Sequence, residues 1–254
     1  MAQSRAPQRN VVGGNASCPW DQFDPEWYVE HNYRTLRDDD RRIINWVQGF
    51  FAEVADPKRP VQRAIDVGSG ANLYPALSML PYCREIELRE RGAKNVRWLS
   101  HEIENYSDLW DQYWDILTAE PYGRIEDPRQ AVKERVRARA GNLFELGSGR
   151  WDMGTMFFVA ESLSDQEREF QDAVRKFVGA LKPGAPFAMA FMRGSAGYTV
   201  DKIRFPAVPV SAVDVEYCLE PLASEVRVRE ISSDQWLRDG YKGMILAVGR
   251  AGKA

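Results

Sequence analysis

The sequence predicts an α/β fold, a Rossmann-like, mainly parallel sheet wound with helices on both faces. Three observations predict it. Short apolar runs at 63–68, 151–159 and 186–192 have the length of strands buried on both faces. Amphipathic stretches of helical period, at 74–80 and 165–181, lie between them. Strand and helix alternate along the chain, the pattern that makes successive strands parallel.

Each element follows from its residues. Residues 1–19 read as a mobile arm ending at Cys18-Pro19. Asp24-Pro25 opens a helix, with proline at its first position. A second helix spans 38–54, where Ile43, Ile44, Val47, Phe50, Phe51 and Val54 form one apolar stripe. Asp56-Pro57-Lys58-Arg59-Pro60 breaks the chain. The strand at 63–68 ends in glycine, and 85–90 alternates as a second strand. Residues 104–140 read as mostly helical and charged. After the strands at 151–159 and 186–192, two further strands at 226–231 and 243–249 suit antiparallel pairing. The expected organisation is an arm with N-terminal helices over 1–60 and one structural unit over 61–254.

Composition removes several function classes. With 34 basic and 37 acidic residues the net charge is -3, so no basic excess exists to neutralise a phosphate backbone, and no nucleic-acid partner is expected. No apolar run approaches the roughly 20 residues of a membrane span, and no apolar stretch follows Arg5 and Arg9 as in a secretory signal. Cys18, Cys83 and Cys218 are scattered and odd in number, which suits a reducing cytoplasm. His31 and His101 are the only histidines, so no metal site is expected.

The most informative segment is Asp66-Val67-Gly68-Ser69-Gly70, at the end of the first strand. In open α/β sheets ligands bind beyond the carboxyl ends of the strands. Glycines there let a ligand approach the backbone. A GxGxxG dinucleotide loop would need a third glycine where Leu73 stands. Asp66 gives instead the D-x-G-x-G form common in domains that bind S-adenosyl-L-methionine (SAM), whose methionine part is cationic. Glu90 ends the next strand, where a carboxylate can accept both ribose hydroxyls.

Over roughly residues 22–210 the sequence resembles the small-molecule amine methyltransferases typified by nicotinamide, phenylethanolamine and thioether/indolethylamine N-methyltransferases. The resemblance rests on Phe23-Asp24-Pro25-Glu26-Trp27-Tyr28 with Tyr33, the glycine loop with Tyr74, Glu90 with Asn95, Gly141-Asn142-Leu143, Leu181-Lys182-Pro183-Gly184, and Ser195, Tyr198, Phe205 and Pro209. It implies a seven-stranded sheet and N-terminal lid helices closing over SAM. It implies that Tyr28, Tyr33, Ser69 and Tyr74 hold the methionine end, that Gly68 and Gly70 shape the loop, and that Phe157 lies near the sulfonium. Glu90 and Asn95 would bind ribose, and Asn142 and Leu143 adenine. Three departures stand out. Arg91 could stack on adenine or pair with Glu90. Asn142 replaces a common aspartate. Phe191 stands where members can carry an acid.

Methyl transfer from a sulfonium is an in-line displacement whose chief needs are alignment and exclusion of water. A base helps only for a phenol or a cationic amine. Glu161 and Tyr198 are the candidate catalytic groups, and Trp20, Trp27, Phe157, Phe158 and Tyr198 could box a flat acceptor. The charged stretch 127–139 reads as a solvated helix face. The expectation is SAM-dependent methylation of a nitrogen on a small amine or pyridine-like acceptor. The alternatives are the same fold acting on oxygen, sulfur or a macromolecule, and a non-catalytic SAM-binding module. No N-P-P-Y tetrapeptide follows the fourth strand, which argues against amide-nitrogen methylation of DNA or protein.

Overall fold

The computed structural model describes residues 14–233 and 237–252; Arg5, Arg9 and the start of the expected arm lie outside them. In chain order come α1 (Pro25–Asn32), α2 (Asp38–Val54), β1 (Val61–Val67), α3 (Tyr74–Met79), β2 (Cys83–Glu90), α4 (Ala93–Asn105), α5 (Asp111–Trp114), α6 (Pro128–Arg135) and β3 (Val136–Ala140). Then follow β4 (Met153–Phe157), α7 (Glu167–Ala180), β5 (Pro186–Met192), β6 (Tyr198–Val200), β7 (Ile203–Phe205), α8 (Ala212–Leu219), β8 (Ala223–Ser232) and β9 (Gly243–Ala251).

Seven strands form one sheet in the order β3-β2-β1-β4-β5-β9-β8, and β6 and β7 make a separate hairpin. Strands β1 to β5 pair in parallel, while β9 runs antiparallel to both β5 and β8. The order turns back between β1 and β4, so a crevice opens beyond their carboxyl ends.

Alternation along each strand builds two core layers. In β5, Ala188 and Ala190 join the layer of α2 and α3, while Phe187, Met189 and Phe191 join that of α7. In β1, Ala64 faces the first layer and Ile65 and Val67 the second. That is why these strands read as continuous apolar runs. Helix α2 lays Ile43, Ile44, Val47, Phe50 and Phe51, each at most 4% exposed, into the first layer. Asp38, Asp39 and Asp40 occupy its first turn, where carboxylates complement the helix dipole. Helix α1 is built differently: Asp24 caps it, accepting from the Trp27 backbone N–H at 3.0 Å, yet Pro25 is its only buried residue.

Two expectations are corrected. The stretch 104–140 is not one helical region, because α6 stops at Arg135 and Arg137 and Arg139 sit on β3. As an edge strand β3 buries only Val136, so its sequence carries no strand-like apolar alternation. Residues 14–19 are not a loose arm either. Asn15 is buried, and its backbone N–H donates to Glu169 at 2.7 Å.

Candidate active site

Beyond the carboxyl ends of β1, β2 and β4 lies a cavity with about 840 Å³ of empty space, part of it open to solvent. Its floor is the glycine loop. Gly68 has φ +69° and Gly70 φ +57°, so both need the left-handed region. A Cβ on Gly68 would also lie 2.6 Å from Val159 Cγ2. The end of β4 therefore moulds the loop as much as the loop's own sequence does.

Glu90 stitches this loop to the next one. Its Oε2 accepts from Gly70 N–H at 2.9 Å, and its Oε1 from Gly92 N–H at 2.6 Å and Asn95 Nδ2 at 3.4 Å. Burial raises its pKa, and the N–H groups of Gly92 and Gly70 oppose that rise. A carboxylate offers about four acceptor sites, so capacity remains for a ribose hydroxyl. Asn95 Oδ1 is buried without a partner among the described residues, as expected for a group waiting on a ligand donor. At the end of β3, Asn142 Oδ1 caps the next turn, accepting from Phe144 N–H at 3.1 Å, and Leu143 lines the cavity beside it.

Residues Phe157, Phe158 and Val159 form the wall at β4. Phe158 has φ +63°, a strained value for a bulky side chain, and this bend lets three successive residues face the cavity. Asn15, Trp20, Phe23, Tyr28 and Tyr33 close the cavity from the N-terminal side. Tyr198 and Arg238 complete it at the β5 side.

Ten of the eleven residues expected at the cofactor thus line one cavity: Tyr28, Tyr33, Gly68, Ser69, Gly70, Glu90, Asn95, Asn142, Leu143 and Phe157. Tyr74 does not. Its hydroxyl donates to Asp40 Oδ1 at 3.0 Å, and its ring packs behind the lining residues Tyr33 and Phe157. Of the two catalytic candidates, Tyr198 lines the cavity and Glu161 does not. Glu161 is fully buried and accepts from the Met192 N–H at 3.0 Å and Ser162 Oγ at 3.2 Å. Burial raises the pKa of both groups, and Tyr198 is a neutral phenol.

Other readings also change. Arg91 donates to the Asn15 carbonyl at 3.2 Å and makes no ion pair with Glu90. Asp66 is turned away from the cavity, accepting from Thr155 Oγ1 at 2.7 Å, and burial lifts it to about 7. Phe191 packs edge-on to Phe170 in the core, so an acid there would not meet a ligand. Trp27 stacks on His31 and is absent from the lining. Sequence reasoning missed Asn15, Ser162 and Arg238. Arg238 belongs to no motif, and only the β8–β9 connection brings it to the cavity.

Among the described residues, no three His, Cys, Asp or Glu side chains gather as a metal ion would need, and no helix is long and apolar enough to cross a membrane.

A sequence model described as the NNMT/PNMT/TEMT family matches residues 16–251. Comparison with curated proteins gives no match. Among solved structures, the chain is similar to the N-methyltransferase NodS from Bradyrhizobium japonicum WM9, crystallised with S-adenosyl-L-homocysteine (12% identity, 91% of this chain and 94% of that one, TM-score 0.56). It is also similar to magnesium protoporphyrin IX methyltransferase from Synechocystis PCC 6803 with bound SAM (10% identity, 94% and 99%, TM-score 0.60). A third similar structure is the CurJ carbon methyltransferase (10% identity, 90% and 58%, TM-score 0.54).

Proposed function

Because this chain belongs to the NNMT/PNMT/TEMT family and is a SAM-dependent methyltransferase, we propose that it methylates a nitrogen atom of a small, flat acceptor. The carrying observation is one continuous cavity that runs from Glu90 and Asn95 to Tyr198 and Arg238. Trp20, Phe23 and Tyr28 line that cavity beside the place expected for the cofactor, which favours a small acceptor.

SAM, when bound, supplies the activated methyl group. Glu90 and Asn95 would hold its ribose, Asn142 and Leu143 its adenine, and Tyr28, Tyr33 and Ser69 its methionine end. The remaining lining positions an acceptor and keeps water out, the two services that in-line transfer needs most. No carboxylate faces the β5 side of the cavity among the described residues, and the Tyr198 phenol holds its proton. A site without a base suits a nucleophile that already carries a lone pair, such as a neutral amine or pyridine nitrogen. A phenol would need deprotonation.

Two measurements test this reading. Calorimetry should find S-adenosylhomocysteine binding and no NAD binding. Glu90→Ala should weaken that binding about 10- to 150-fold, the range for hydrogen bonds to a charged group. Glu90→Gln should help little, since its amide would face either the Gly70 or the Gly92 N–H. A screen of amines, pyridines and phenols should yield S-adenosylhomocysteine with nitrogen acceptors; turnover of phenols alone would reverse the nitrogen assignment.

A further inference from the structure

Of the three arginines that line the cavity, Arg89, Arg91 and Arg238, only Arg238 is buried. It sits between β8 and β9, across the sheet from Glu90 at the end of β2. It is 8% exposed, and its guanidinium lies 4.9 Å from the centre of the Tyr198 ring. Its polar contacts are long: Nη2 is 3.9 Å from Glu161 Oε1 and 3.5 Å from Ser162 Oγ. Its Nε has no partner among the described residues. A guanidinium carries five N–H donors, and burying one so poorly satisfied is costly. Glu161 serves it incompletely, because Oε1 is shared with the Met192 N–H and Ser162.

We infer that Arg238 receives a carboxylate on the acceptor, making the substrate class a planar nitrogen nucleophile that also bears a carboxylate. This deepens the proposed nitrogen methylation and rests on it. A carboxylate meets a guanidinium through two parallel N–H···O bonds, which would satisfy the unpaired donors. Charge balance points the same way. The cofactor brings a sulfonium cation into the cavity, and Arg238 and Glu161 cancel one another. An ammonium acceptor would add a second cation beside both, whereas a carboxylate offsets the sulfonium. Tyr28, Phe158 and Tyr198 supply apolar faces for the ring.

The test is calorimetry on the full chain saturated with S-adenosylhomocysteine. Two ring series serve as probes: pyridine-3-carboxylate, its carboxamide and 3-(aminomethyl)pyridine; and 4-aminobenzoate, 4-aminobenzamide and 4-aminobenzylamine. In at least one series the carboxylate should bind about tenfold or more tighter than the amide, with the ammonium weakest. Arg238→Gln should erase that preference while leaving S-adenosylhomocysteine binding intact. If Arg238→Gln fails to fold, Arg238→Lys, which keeps charge but loses the fork, should cut the preference severalfold. The inference is overturned if no carboxylate outbinds its amide, if no probe binds, or if the preference survives both variants. A purely structural partner of Glu161 would instead show lost thermal stability in Arg238→Gln, restored by adding Glu161→Gln, with acceptor preference unchanged. Failure of the methylation reading is separate, since it appears as no S-adenosylhomocysteine binding at all.

Discussion

Helices α1 and α2 both precede the glycine loop and were expected together as N-terminal lid elements, yet they do opposite things. Helix α2 is a structural layer. Its stripe is sealed against β5, β9 and α3, and its start is tied across the fold, where Arg37 donates to Asp39 at 3.0 Å and Tyr241 donates to the same carboxylate. Helix α1 has no such stripe. Trp27, Tyr28 and Val29 are half-buried; Tyr28 and Val29 touch the edge of the main core, while Trp27 and Tyr28 pack on Phe23, Tyr198 and Phe205 in the small cluster around the cavity. Burial against a permanent core fixes a helix, whereas burial against a cavity leaves its stability partly to whatever fills that cavity. Tyr33 marks the border: it caps α1 and yet packs on Trp110 and Tyr113 in the main core.

The comparison can be broken most sharply at Phe51. Phe51→Ala empties a fully buried site and should cost about 3–5 kcal/mol, a fall of roughly 6–20 °C in melting temperature with or without cofactor. A negligible fall would mean α2 is no layer. A smaller effect separates the helices by pH. Burial, and then the neighbouring Asp39, lift Asp40 to about 7. Between about pH 4 and 7 such a group binds more protons folded than unfolded. Its stability contribution is present at the acid end and is lost as pH rises toward 7. Asp66, also lifted to about 7 by burial, acts with the same sign. Urea midpoints at pH 5, 6 and 7 should decline, and Asp40→Asn should flatten the decline by up to about 1.4 kcal/mol per unit. An unchanged slope would remove Asp40 from the account.

The mildest change tests α1. Tyr28→Phe should leave the melting temperature alone and weaken S-adenosylhomocysteine by about 0.5–1.5 kcal/mol, one hydrogen bond. Hydrogen exchange should slow across 20–32 on cofactor binding and stay constant across 43–54. Equal protection of both segments would erase the distinction.

What the sequence disclosed, and what it hid, follows the same division. The β1 loop and Glu90 were legible because backbone geometry demands glycine and a fixed strand spacing carries the acid. The core of α2 was legible through its 3.6-residue period. Strand β3 was not, because an edge strand buries one residue and borrows its shape from β2. Tyr74 was misplaced because its helix turns it toward Asp40, a direction set by tertiary packing. Glu161 sits in the right loop but points beneath the cavity, toward the Met192 N–H. Arg238 could not be read at all, since a lone arginine in a turn has no periodicity, and only the β8–β9 return carries it home.

Among the described residues the sheet ends at β3 and β8, and each carries exposed arginines: Arg137 and Arg139 on one, Arg227 and Arg229 on the other. An open margin is a template on which another chain can add a strand. A second copy arriving antiparallel would set guanidinium groups against guanidinium groups across the new ladder, a destabilising arrangement. Charge therefore opposes that one pairing, and the opposition weakens as dissolved salt shortens the reach of surface charge.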